Sequence, residues 1–317
     1  MRRPGHLVTV TETASRRRRD TSDRETTSSR PGVGSDPTLD AAVAEREVEE
    51  TFLDVIDEGR RRLSRRTFPL LATGLVGGVD VGTGVLGLLI VEHETGSPLL
   101  GGVAFSIGFI ALTLARSELF TEDFLIPVST VIARQARLRM LLRLWIGTLI
   151  TNFVGGWVFS WFIIRGFPQL RPEAIKAGQF YVGLGYGLRA FSLAVLGGAV
   201  ITLMTWMQHG TKSMGTRIIP AVTAGFLLAG GQLNHAIVNS LLMFSSLHSG
   251  APFGYLDWAK TMGFAALGNI VGGVGLVTLL RVLQVPHKVI EERRNPALGV
   301  PLGDNRRVSD DYPSEES

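Results

Sequence analysis

The sequence predicts an all-α integral membrane protein with six transmembrane spans in two inverted three-span repeats, the second and fifth spans being broken helices. Three observations carry that prediction. The chain of 317 residues is 45% hydrophobic with 38 glycines and a mean hydropathy of +0.24, and a soluble domain would interleave its charge more evenly. Its charge is segregated: Arg16-Arg17-Arg18-Arg19, Arg60-Arg61-Arg62 and Arg65-Arg66 precede long runs with few ionisable groups. Finally, the chain repeats itself. Thr151-Asn152-Phe153-Val154-Gly155-Gly156 returns as Gly268-Asn269-Ile270-Val271-Gly272-Gly273 at an offset of 117. The same offset carries Gly108-Phe109-Ile110 onto Gly225-Phe226-Leu227, and the polar interruption at Glu118 onto that at His235. Paired, interrupted apolar segments at matching positions point to a transport site at a repeat interface.

Residues 1–40 lack an apolar period and read as a disordered, arginine-rich arm. Over 41–66, Val43, Val48, Phe52, Val55 or Ile56, Gly59 and Leu63 recur near helical spacing, giving an amphipathic helix on the membrane surface or against the bundle. The transport domain fills 67–284, and 285–317 is a polar tail. The first span runs from about Phe68 to Val91, long enough for a hydrocarbon core of ~30 Å. Gly101 to Ala133 is too long for one straight helix and too short for two with a loop. Its halves are divided by Arg116, Ser117, Glu118, Glu122 and Asp123, so it reads as one broken helix. Spans three and four are about Met140–Ile164 and Leu188–Met207. The fifth, Ile218 to Leu247, breaks around Gly230-Gly231-Gln232-Leu233-Asn234, and the sixth is about Ala259–Leu283.

Arginines and lysines in the short loops fix orientation. Arg134, Arg137, Arg139 and Arg143, then Lys212 and Arg217, then Arg281, Lys288, Arg293 and Arg294 share a side with the arginine-rich arm. That places both termini in the cytoplasm of a multi-pass cell-membrane protein. The basic pI near 9.7 thereby reflects membrane flanks, and no nucleic-acid partner is expected. There are no cysteines, so disulfides and thiolate chemistry are excluded. No Walker loop, His-Glu-x-x-His or nucleophile elbow occurs, and no cofactor or metal is implied. A hydrolase would need a serine beside His235, such as Ser240, and nothing in the pattern fixes that geometry. An enzyme is not expected.

An ionisable group inside a span is costly and marks function by default, which singles out His235, one helical turn before Asn239. A bland reading has the ring merely closing the break through Asn239 or a carbonyl. In the first break, Glu118, Thr121, Glu122 and Asp123 read as a loop lining the cytoplasmic approach to the pore, the other reading being that Thr121 or Asp123 caps the next half-helix. Arg116 would either neutralise Glu118 or attract anions. Asp80 belongs to a proton path or pairs with a neighbouring helix. Gly74, Gly78 and Gly82 read as close packing, and Asn152 and Asn269 as interhelical hydrogen bonders.

These breaks resemble a known family. Ser117-Glu118-Leu119-Phe120-Thr121 looks like the acidic-Leu-Phe-Thr loop of formate/nitrite transporters, and His235-Ala236-Ile237-Val238-Asn239 is similar to their central His-x-x-x-Asn. The Asn-x-x-Gly-Gly runs at 152 and 269 match the family's third- and sixth-span signatures. The resemblance implies an aquaporin-like protomer in a homopentamer, passing small monovalent weak-acid anions or their conjugate acids, often with a proton. It makes His235 the proton-exchanging group, Asn239 its polar neighbour and Thr121 the contact from the loop. It places Leu119 and Phe120 at the cytoplasmic constriction, with Phe109 and Leu228 as further apolar gate residues. Apolar rings would exclude bare ions, which pay heavily for desolvation, but not a neutral acid. Two departures stand out: Asn234 replaces the family's Glu before the histidine, and Glu122-Asp123 brings acids to the entrance. The other readings are a pore for a small neutral solute, which those acids favour, and a non-conducting scaffold worked by the arm.

Overall fold

The computed structural model describes the backbone of residues 37–285 and side chains from residue 46. Residues 1–36 and 286–317, most of the expected arm and tail, lie outside the described residues. Helix begins at Pro37, inside the stretch expected to be disordered.

Helix α1 (Pro37–Leu63) is amphipathic and packs against the bundle. It buries Phe52, Val55, Ile56 and Leu63 against Leu125, Ile126, Val128, Ala133, Trp206 and Val282. The first span is α2 (Thr67–Thr95), which ends where Gly96 adopts a left-handed conformation and its N–H bonds to the Glu92 carbonyl. The second span starts with α3 (Pro98–Ala115), capped by the Ser97 hydroxyl and led by Pro98 in the first turn. A loop and one 3₁₀ turn (Glu122–Phe124) follow, and α4 (Ile126–Ile132) completes the span. The third span is α5 (Leu138–Gly166). In the second repeat, α7 (Leu188–His209) is followed by the broken pair α8 (Met214–Gly230) and α9 (Ala236–His248). The last span runs from α10 (Tyr255–Ile270) through a π-helical stretch (Val271–Thr278) into α11 (Leu279–Gln284). Five of these helices are long and apolar enough to cross a membrane. The broken pair α8/α9, two shorter apolar helices, lies where the fifth span was expected.

The loop expected between spans three and four holds a further helix, α6 (Arg171–Gly183), packed on α9. Arg171, Glu173 and Lys176 gave the segment a loop-like composition. Yet Ala174, Gly178 and Tyr181, three and four residues apart, form its buried face. Pro172 in the first turn was the readable signal.

The glycine stripe on α2 is packing. A methyl group added at Gly78 would lie 2.2 Å from the Asn152 carbonyl oxygen on α5, and one at Gly82 would meet Phe159. The second repeat copies the arrangement, with Gly198 on α7 pressed against the Asn269 carbonyl. Without a hydrophobic driving force between helices in lipid, such backbone approach supplies the van der Waals contact that joins them.

Candidate functional site

Both broken spans turn at a non-glycine residue in the left-handed region: Arg116 (φ 54°) after α3, and Gln232 (φ 49°) after α8. Each break is then stitched by one buried asparagine. Asn152 on α5 donates through Nδ2 to the Gly74 and Glu118 carbonyls (2.7 and 2.9 Å), while its Oδ1 accepts from the Phe120 N–H (2.9 Å). Asn269 on α10 donates to the Ala194 and Asn234 carbonyls (2.7 and 2.9 Å) and accepts from the Ala236 N–H (2.9 Å). Backbone groups stranded by a break at membrane depth are thus satisfied inside the protein, which is the condition for breaking a span at all. The adjoining glycine pairs also divide their duties alike. Gly155 faces the Leu75 carbonyl and Gly156 the Leu241 side chain, while Gly272 faces the Val195 carbonyl and Gly273 meets Phe124.

This stitching corrects the register of the repeat. The asparagines and glycines match at an offset of 117, but within the breaks Glu118 corresponds to Asn234 and Phe120 to Ala236, an offset of 116. Arg116 and Gln232 obey the same spacing. The position equivalent to His235 is therefore Leu119, not Glu118. One residue more separates the second break from its asparagine, 35 positions from Asn234 to Asn269 against 34 from Glu118 to Asn152.

His235 is fully buried and caps α9. Its Nδ1 accepts the Val238 N–H at 3.2 Å, and its Nε2 lies 2.8 Å from Thr121 Oγ1. A backbone N–H only donates, so in the neutral ring Nδ1 carries the lone pair and Nε2 the proton. His235 therefore donates to Thr121, and the threonine hydroxyl keeps its own proton to offer elsewhere. The two breaks meet at this bond. The expected capping by Thr121 is not seen, since its side chain makes no cap hydrogen bond. Asn239 does not bond the imidazole. Its amide lies 2.8 Å from the Asn234 amide and, turned over, accepts the His235 backbone N–H at 2.9 Å. Asn234 is anchored in turn to the Ala190 carbonyl (3.1 Å).

Phe109, Leu119, Phe120 and Leu228 are all buried in one apolar cluster. Phe109 packs edge-on against Phe105, and Phe120 against Phe124 and Trp145. Ser240 donates to the Ala236 carbonyl (2.6 Å) and accepts from Trp258 Nε1 (2.9 Å), so it is not poised as a nucleophile against His235. Asp80 accepts from Ser117 Oγ at 2.5 Å, which ties the first span to the first break. Among the described residues no cluster of three or more His, Asp or Glu could hold a metal ion.

On the α1 side of the Thr121 loop lies a polar cavity of about 830 Å³, lined among others by Arg62, Arg65, Arg116, Glu118, Glu122 and Arg217. Glu118 is 1% exposed and pairs with Arg62 Nε (3.3 Å) and Arg65 NH1 (2.8 Å). Arg116 is therefore not its partner in the structure. Arg62 also pairs with Asp123 (3.3 Å) and with Glu58 on its own helix (3.1 Å). Burial works against the charge on Arg62, but Glu118 and Asp123 outweigh it and raise its pKa, so the guanidinium stays protonated. Asp123 Oδ2 further accepts from Thr148 (3.4 Å), and Glu122 accepts the Leu119 N–H (3.4 Å). Sequence reasoning treated these arginines as orientation signals. Only the fold reveals Arg62 as an interior side chain, because Glu118 and Asp123, the partners that draw it inward, lie far from it in sequence.

Comparison with known proteins agrees with this architecture. Inner membrane protein YfdC of Escherichia coli (strain K12) is 27% identical over 254 residues, covering 76% of this chain and 79% of that protein. Formate channel BtFdhC of Bacillus thuringiensis is 24% identical, covering 70% of this chain and 89% of its own length. Among solved structures, a pentameric formate channel with formate bound superposes with a TM-score of 0.59 at 21% identity, over 68% of this chain and 96% of that one. An FNT family ion channel superposes with a TM-score of 0.65 at 16% identity, over 74% of this chain and 99% of that one. These two likenesses are of fold. The formate/nitrite transporter family model matches residues 49–283, from within α1 into α11. The chain belongs to the formate/nitrite transporter family, a family of membrane channels and transporters and not of enzymes.

Proposed function

We propose that each protomer passes a small monovalent weak-acid anion, of the formate or nitrite kind, and that His235 exchanges a proton with it through Thr121. The observation that carries this reading is the His235–Thr121 bond at the meeting point of two broken spans. Behind apolar side chains a bare anion is expensive, whereas the neutral acid is not. Once His235 has taken up a second proton at Nδ1, releasing the Val238 N–H, its Nε2 proton passes to Thr121 as the hydroxyl proton passes to the anion; a neutral ring remains, and the reverse steps release the anion. Phe109, Leu119, Phe120 and Leu228 supply the dry barrier on either side, while Asn239 and Asn234 hold the break in shape. We further propose a homopentamer, as in the pentameric formate channel of like fold. Both termini face the cytoplasm, in keeping with the arginine-rich connections.

The test is flux in proteoliposomes. Purified protein is given formate, nitrite and an uncharged solute of similar size at two pH values, with internal pH and light scattering recorded. The expected result is anion-linked internal pH change that is strongly reduced in His235→Asn. Swelling with the uncharged solute and no anion-linked signal would instead assign a neutral-solute pore.

A further inference from the structure

The first break carries three buried carboxylates, Glu118, Glu122 and Asp123. An anion reaching Thr121 from the α1 side must pass beside them, because Glu118 and Glu122 line the cavity on that side. Left alone, such a cluster excludes anions and gathers cations. The side chains that meet it come from the α1 region: Arg62 contacts Glu118 and Asp123, and Arg65, just beyond the helix, contacts Glu118. The total charge of α1 is not what counts, since Asp54, Asp57 and Glu58 also line the cavity. Placement does. Asp54 and Asp57 are exposed, where water and salt screen them, whereas the Arg62 side chain is 12% exposed.

Three independent contacts hold α1 in this position. Gly59 lies so close to α4 that an added methyl group would fall 1.9 Å from Thr130 Oγ1 and 2.7 Å from the Ile126 carbonyl. Phe52, Val55 and Ile56 fill the apolar seam beside it. Arg143 on α5 donates to the Leu63 and Arg65 carbonyls at the exit of α1, the end where a cation suits the helix dipole.

We propose that Arg62 and Arg65 are specificity-determining residues: by neutralising the acids of the first break they turn an anion-repelling entrance into an anion-passing one. The inference rests on the anion reading above. It assigns α1 a part in permeation and gives the acidic Glu122-Asp123 pair a built-in counter-charge. Glu118 lines the cavity, and its buried Oε2 has no hydrogen-bond partner among the described residues, so its charge is offset by the two arginines.

The experiment compares formate flux into proteoliposomes at low and high ionic strength for the full chain, for Arg62→Gln/Arg65→Gln, and for that pair combined with Glu118→Gln/Asp123→Asn. The double variant is expected to lose about tenfold or more of its flux at low salt and to regain only part of it at high salt, because the buried carboxylates are screened less than exposed ones. The fourfold variant is expected to exceed the double variant several-fold at low salt. A double variant as fast as the full chain at low salt, or a fourfold variant as slow as the double one, overturns the proposal. If the double variant does not fold, Arg65→Gln with and without Glu118→Gln makes the same comparison. Absence of formate flux in the unsubstituted protein would instead reject the anion reading itself.

Discussion

Asn269 is the single side chain on which the second break most depends, and its removal has a calculable cost. Asn269→Ala deletes three hydrogen bonds, to Ala194, Asn234 and Ala236. They are not equal. Ala194 lies inside α7, where its carbonyl also serves the helix ladder and loses only a second partner. The Asn234 carbonyl and the Ala236 N–H belong to the break, and the substitution strands both in a dry interior. At about 1–3 kcal/mol for each unsatisfied group, the loss is roughly 2–6 kcal/mol. A domain of this size shifts its melting temperature by about 2–4 °C per kcal/mol, so a fall of ~10 °C is expected for the purified protein in detergent. Asn152→Ala should fall by a similar amount, because it strands the matching Glu118 carbonyl and Phe120 N–H. If either variant melts within about 2 °C of the unsubstituted protein, the stitching does not carry the breaks and this reasoning is wrong.

Other predictions follow from the same geometry. Thr121→Val keeps the shape of the side chain but leaves the His235 Nε2–H without its acceptor; a cost of about 1–3 kcal/mol corresponds to formate flux slowed by roughly one to two orders of magnitude, while Thr121→Ser should stay near the unsubstituted rate, both read by stopped-flow. Gln232→Val sets a β-branched residue at φ 49° and should lower stability by about 1–2 kcal/mol, visible as a lower melting temperature, whereas Gln232→Gly should not.

Much of the membrane architecture was legible because its signals are local. Apolar runs of spanning length, the polar residues 116–123 and 230–235, and the Asn-x-x-Gly-Gly runs each announce themselves within a few turns of helix. Most of the corrections concern contacts between distant segments. Glu118 was offered Arg116 as a partner, its neighbour in sequence. The left-handed turn at Arg116 leads the chain into the break, and the arginines that meet Glu118 come from the α1 region instead. The helix α6 hid behind its charged residues, which obscured the buried face of Ala174, Gly178 and Tyr181. The one-residue difference in register between the breaks could be seen only from what Asn152 and Asn269 bond.

By itself the sequence determined that this chain crosses a membrane with two interrupted spans, since hydrophobic length and the penalty for unsatisfied backbone in lipid act on contiguous residues. It determined that His235 is exceptional, because a titratable ring within an apolar segment is exceptional wherever the segment folds. Tertiary structure alone decided that the ring donates to Thr121, that one asparagine closes each break, and that Arg62 turns inward to meet Asp123. Hydrogen bonds and ion pairs form between groups brought within about 3 Å, and which groups those are is settled by helix packing that no local stretch of sequence encodes.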